Sequence, residues 1–184
     1  MLVYKAKTYG GKPMDEFVAK FLQELSANLF FVKNFFFFFE HQIVMIFQGK
    51  SGTNPFWVIT FFAFWNKSLG YLVSLFNRNE ENYNSFSKFF AYVSDNKDRL
   101  IPEERREYFK KFEERYRSYL AQKASALDTI QKTGSLYHKT TSLTKENAIL
   151  VKDAVFDTVV FTNEMYVNIC NLFEVNIAKP QYIS

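Results

Sequence analysis

One cysteine, two histidines, six glycines and four prolines are all that 184 residues hold of those types. Each scarcity removes a class of protein. Cys170 has no second cysteine to pair with, so no internal disulfide forms, and His41 and His138 are too few to complete a Cys/His zinc cluster. Glycine and proline together stand at about half their usual share. A hairpin-rich or Greek-key protein needs many more turn formers, so an all-β fold is disfavoured. From Met1 to Pro13 there are lysines but no apolar core and no small-residue cleavage site, so no secretory signal is expected. With the lone cysteine this points to a reducing compartment, and a cytoplasmic location is the expectation.

Apolar residues are abundant instead. The chain is 48% hydrophobic and 23% charged, which excludes disorder as a description of the whole. Its length suits one ordinary domain. Aromatic residues make up 20% of it, with 23 Phe, 11 Tyr and 2 Trp. The formal net charge of +4 permits an acidic partner such as RNA without requiring one.

Two stretches raise the question of a membrane. Leu29 to Phe47 holds Phe35 to Phe39 in a row but is interrupted by Lys33, Asn34, Glu40, His41 and Gln42. Phe56 to Phe76 has Asn66, Lys67 and Ser68 at its middle. A lysine at the centre of a spanning helix costs about 2.5–3.5 kcal/mol, and the mean hydropathy of the chain is −0.19. Both stretches read as buried core helices, and no membrane partner is expected.

Glycine and proline punctuate the chain and leave four long segments, each with helical periodicity. The first runs from about Met14 to Gln48, with Phe17, Phe21 and Leu25 at four-residue spacing. The second opens at Asn54, a good N-cap, with Pro55 at the first helical position, and runs to about Phe76. A short helix is expected from about Tyr83 to Ser94. The third long segment opens at Pro102, followed by Glu103 and Glu104, and should end near Gly134. The last starts near Thr144 and runs toward Ile177. Its β-branched run from Val155 to Thr162 leaves a strand as the alternative there. No repeat or second domain is visible. The expected fold is all-α, an antiparallel bundle of four to five long helices spanning residues 1–184, with an N-terminal extension over 1–12 and a tail over 178–184. So many aromatics either leave an apolar face for a homodimer or simply replace leucine in a monomeric core.

Few residues carry candidate chemistry. Gly49-Lys50-Ser51 resembles the end of a phosphate-binding loop, but the glycine such a loop needs at position 44 is Val44. Glu40-His41 lies in the first helix with Met45, not histidine, four residues on, so a metalloprotease motif is excluded. No metal or cofactor is expected. Arg105, Arg106, Lys110, Lys111, Arg115 and Arg117 share the third helix with Glu103, Glu104, Glu107, Glu113 and Glu114. Glu107–Lys111 and Glu113–Arg117 are i,i+4 pairs in the favoured order. This is either a solvated face or an RNA-contacting stripe through Arg115, Arg117 and Lys139. Lys132 to His138 lies where the third helix ends. A helix C-terminus raises the pKa of a histidine, and a nearby cation can hold a phosphate while His138 moves a proton. Polar surface is the other reading of that stretch.

Three places together carry a family resemblance. They are Asn54-Pro-Phe-Trp-Val-Ile-Thr-Phe-Phe-Ala-Phe-Trp through Leu75-Phe76-Asn77-Arg78, the charged helix from Pro102 to Ile130, and Lys132 to His138 before one closing helix. Over roughly Phe17 to Phe173 the chain resembles the HEPN superfamily of small dimeric helical-bundle proteins, and within it the abortive-infection group called AbiU-like. The resemblance implies metal-independent RNA cleavage by a dimer whose motifs meet across the interface, in a phage-defence or toxin–antitoxin setting, with an antitoxin or other protein as a further partner. It implies acid–base chemistry by His138 at the ribose 2′-hydroxyl, with Lys132 standing where the family's Arg-x(4–6)-His motif has arginine. Lysine keeps the charge but not the planar fork. Thr140 stands where one subgroup carries a tyrosine modified by a partner nucleotidyltransferase, so that regulation is not implied. The competing reading is a non-catalytic helical interaction module with a decayed site.

Overall fold

A computed structural model describes residues 14–40, 42–47, 54–76, 85–136 and 145–175. The fold is all-α. In order the elements are α1 (Glu16–Phe39), α2 (Ile43–Phe47), α3 (Pro55–Leu75), α4 (Phe86–Asp95), α5 (Lys97–Leu100), a 3-10 turn (Glu103–Arg105), α6 (Arg106–Leu136) and α7 (Lys145–Leu172).

Local chemistry starts several of these helices. The Asp15 carboxylate accepts from the amides of Phe17 and Val18 and caps α1. Asn54 accepts from the amide of Phe56, and Pro55 opens α3, as expected from the sequence. Ser85 caps α4 through the amide of Lys88, so that helix starts at Phe86 rather than near Tyr83. Pro102 precedes the 3-10 turn, and α6 proper begins at Arg106.

Ring contacts and ion pairs fix the directions. Arg105 at the start of α6 meets the end of α7, and Lys123 further along α6 meets Asp157 nearer the start of α7, so the two run antiparallel. Lys33 reaches Asn163 and Phe36 meets Phe156, which sets α1 antiparallel to α7. Phe31 packs on Phe64 and Phe35 on Phe61, which sets α1 antiparallel to α3. The result is a four-helix bundle with antiparallel neighbours, α2 laid against α7 and α4 closing one end. At that end Phe86, Phe89 and Phe90 interlock with Phe21, Phe76, Phe112, Tyr116 and Phe173. Aromatic rings fill much of the core. Trp65 and Phe61 are fully buried and stacked at 5.8 Å, and Tyr119 lies parallel to Phe161 at 3.6 Å.

Two expectations need correction. The first long segment is two helices, broken around Glu40 and Gln42, instead of one. The break turns Ile43 and Ile46 into the core beside α7, where both are buried. His41 lies outside the described residues. The last helix stops at Leu172, five residues short of Ile177. Glu174 takes φ 51, the amide of Val175 reaches back to the Cys170 carbonyl at 2.8 Å, and Arg105 donates to the carbonyls of Asn171 and Leu172 at 3.0 Å each. The β-branched run is helix, as the segment's periodicity indicated, and the strand alternative falls away. Thr158 and Thr162 bury their hydroxyls by donating to the carbonyls four residues back, Ala154 and Thr158.

By length and composition alone, Val58–Leu75 is apolar enough to cross a membrane. Lys67 lies within it, and α1, α6 and α7 pack along it as one wall of the bundle.

Candidate functional site

The charged helix α6 and the junction that follows it carry the chemistry expected from sequence. α6 runs unbroken through position 132 to Leu136, past the expected end at Gly134, and α7 begins at Lys145. Lys132 therefore sits on α6 about one turn before its end. Its side chain is outside what the structure describes, and so are His138 and Lys139.

Arg115 and Arg117 are described in full, and both are engaged. Arg115 donates to Glu164 of α7, with Nη2 2.9 Å from Oε2. That hydrogen bond and the charge of Glu164 raise its pKa. Arg117 donates to Glu113 one turn earlier through Nη2 at 2.6 Å and Nε at 3.2 Å, which raises its pKa likewise. Lys111 pairs with Glu107 at 3.5 Å, Arg106 with Asp98 at 2.8 Å, and Lys123 with Asp157 at 3.2 Å. Both i,i+4 pairs read from the sequence are present. The exposed face of α6 is thus a ladder of matched charges, and a phosphate arriving at Arg115 or Arg117 must displace a carboxylate.

One polar cluster escaped the sequence reading. Asp15 accepts from Tyr92 Oη at 3.1 Å and from Arg99 Nη2 at 2.9 Å, while it caps α1. Arg99 also donates to Tyr92 Oη at 3.2 Å and to Asn96 Oδ1 at 3.4 Å. Only the cap had a local signal, an aspartate just before the first apolar helix. Tyr92 and Arg99 arrive from more than seventy positions away. Every member serves another member or a backbone amide, so the cluster reads as a clasp between α1 and the α4–α5 corner.

The remaining groups are quiet. Burial pushes the Cys170 thiol up to about 11, which leaves it protonated and unreactive at neutral pH. Burial likewise pushes Tyr119 up to about 12, and its hydroxyl lies 3.3 Å from Thr158 Oγ1. Among the described residues no group of three or more His, Cys, Asp and Glu could hold a metal ion. Comparison with protein-family models, with curated proteins and with solved structures gave no match.

Proposed function

We propose that the chain is an HEPN-like helical-bundle protein of a phage-defence or toxin–antitoxin system, acting in the cytoplasm as a metal-independent endoribonuclease. The observation that carries the reading is the course of α6. A long charged helix continues past Lys132 to Leu136, and one closing helix follows from Lys145. Lys132 lies near the end of α6, and position 138 follows that end in the sequence, before the closing helix, which supports the order of elements the resemblance implies.

In this reading His138 takes the proton from a ribose 2′-hydroxyl. The 2′-oxygen attacks the adjacent phosphorus, the bond from phosphorus to the 5′-oxygen breaks, and the departing oxygen takes up a proton. The products are a 2′,3′-cyclic phosphate and a 5′-hydroxyl. Lys132 supplies positive charge to the phosphate as negative charge develops on it.

The test is RNA cleavage in the presence of chelator. Wild-type protein should cleave, His138→Ala should lose activity by a hundredfold or more, on the order of what a general acid–base group contributes, and Lys132→Arg should retain or raise it. Cleavage unchanged in His138→Ala would overturn the assignment. A second reading, a non-catalytic interaction module on the same bundle, is favoured by one observation: Arg115 and Arg117 are already held by carboxylates. Absence of cleavage by wild-type protein across RNAs and pH would select it.

A further inference from the structure

α1 and α3 lie side by side, and their contacts fix which way their side chains point. On α1, Phe31 and Phe35 face α3 through Phe64 and Phe61, while Lys33 and Phe36 face α7 through Asn163 and Phe156. Val32, between these directions, is fully buried. At about 100° per residue, Phe30, Asn34 and Phe37 fall on the arc that remains, which points away from the bundle. On α3, Trp65 is fully buried and Phe61 and Phe64 face α1. Phe56, Ile59, Ala63 and Lys67 therefore fall on its outward arc. Lys67 ties the two arcs into one surface. From the outer side of α3 its Nζ reaches across to rest 4.9 Å from the centre of the Phe31 ring.

This surface is apolar, and its cations lack carboxylates. Phe30, Phe37, Phe56 and Ile59 are 61%, 77%, 64% and 69% exposed. Phe38, 72% exposed, stands beside Phe37 with ring centres 6.0 Å apart. At about 200 Å² for an aromatic side chain, the four phenylalanines present roughly 550 Å². The largest apolar patch on an ordinary monomer is about 300–600 Å², so this one stands near the top of that range. Its lysines differ from the cations of α6. Lys33 donates to Asn163 Oδ1 at 3.0 Å, an uncharged acceptor, and Lys67 rests on a ring. Neither pairs with a carboxylate among the described residues, so their charge is left for a partner outside the chain.

That partner must take in large apolar side chains and supply negative charge beside them. An anionic bilayer does both. Rings enter at the level of the upper acyl chains, while lysines lay their stems along apolar surface and keep the ammonium among the phosphates. A single-stranded nucleic acid fits less well, because it needs a track of cations along its backbone and a ring for each base. Ile59 and Ala63 offer no ring. The contact is a docking and not a crossing. Phe61, Trp65 and Leu72 are buried inside the bundle, so Val58–Leu75 stays in the fold although its composition would suit a span. The expectation of no membrane partner rested on burial of both apolar stretches, and the structure buries one side of each.

We propose that the joined outward faces of α1 and α3 dock flat on an anionic lipid bilayer, with Phe30, Phe37, Phe56 and Ile59 in the interface and Lys33 and Lys67 on lipid phosphates. The surface includes neither Lys132 nor His138, so the proposal does not rest on the nuclease reading.

Co-sedimentation of the full chain with lipid vesicles tests the docking. Wild-type protein should bind vesicles of phosphatidylcholine and phosphatidylglycerol mixed two to one, and bind phosphatidylcholine alone more weakly. Phe37→Asp and Ile59→Asp should each weaken binding on the order of tenfold or more. Helicity should not change, because both side chains are exposed in the free protein. Lys33→Gln and Lys67→Gln should each cost about fivefold on the mixed vesicles and little on the neutral ones. Lys110→Gln removes the same charge from the outer face of α6 and should change binding by less than about twofold. Wild-type protein that stays in the supernatant overturns the proposal, whether it is a monomer, a dimer that buries this face, or a binder of single-stranded RNA through Phe37. So does vesicle binding that survives both aspartate variants, or that falls as far with Lys110→Gln as with Lys67→Gln.

Discussion

α3 and α6 are neighbouring walls of one bundle, and both bury aromatic side chains. α3 turns Trp65 and Phe61 inward, and α6 turns Phe112 and Tyr116 inward. Their outer faces differ completely. On α6, Arg115, Arg117, Lys111 and Lys123 each find a carboxylate, on α6 itself or across on α7. On α3 there is one charge in 21 residues. Burial of an inner stripe is enough to make either helix part of the fold. The outer stripe is free to record something else. On α6 it records exposure to water, because matched charges are solvated there and contribute little to stability. On α3 it leaves Phe56 and Ile59 exposed, an apolar surface that the described residues of the chain do not cover.

The largest effect that sharpens this contrast compares the two sides of α3. Trp65→Ala should cost about 3–5 kcal/mol in urea unfolding, since it empties a fully buried site. Phe56→Ala, on the outer side, should change the stability of dilute protein by no more than about 0.5 kcal/mol. A large loss for Phe56→Ala in dilute solution would mean that the outer face already packs within one chain. Next comes Gly70→Ala, which should gain about 0.8–1 kcal/mol from better helix propensity, roughly 2–4 °C in Tm by calorimetry, because a Cβ there meets nothing within 4 Å. Absence of that gain would mean that the outer face of α3 is covered at Gly70. The smallest effect belongs to α6. Arg117→Gln should cost no more than about 0.5 kcal/mol, and less at high salt. A larger or salt-insensitive loss would show that the charged face is structural after all.

How far the fold was legible follows the range of the interaction that fixes each feature. The start of α3 was plain because Asn54 and Pro55 act on the next few amides. The i,i+4 pairs of α6 were plain for the same reason. The break between α1 and α2 was not, because Phe35 to Phe39 and Ile43 to Phe47 read as one apolar run. Only the need to bring Ile43 and Ile46 onto α7 separates them. The end of α7 depends on Arg105, sixty-six positions before the carbonyl of Asn171 that it holds. The pairing of Arg115 with Glu164 spans forty-nine positions. For the candidate site, the sequence located Lys132 near a helix end and showed the Glu113–Arg117 match, but the matches of Arg115 and Lys123 to α7 are too distant along the chain to be read from it.

The hold of Arg105 on α7 has a mechanical meaning. The last turn of α7 is pinned by two carbonyl contacts, the neighbouring Glu174 carboxylate and the left-handed backbone at Glu174. Its first turns carry the exposed Ile149 and Leu150. The rest of the 28-residue helix is held as well, by Phe36 on Phe156, Lys123 on Asp157 and the buried Val151 near its start. A tilt of one degree about the Arg105 end would carry the far end of its roughly 42 Å through about 0.7 Å, enough to forfeit much of the packing attraction there. The seat of Arg105 thus sets an angle that the whole length of α7 must keep.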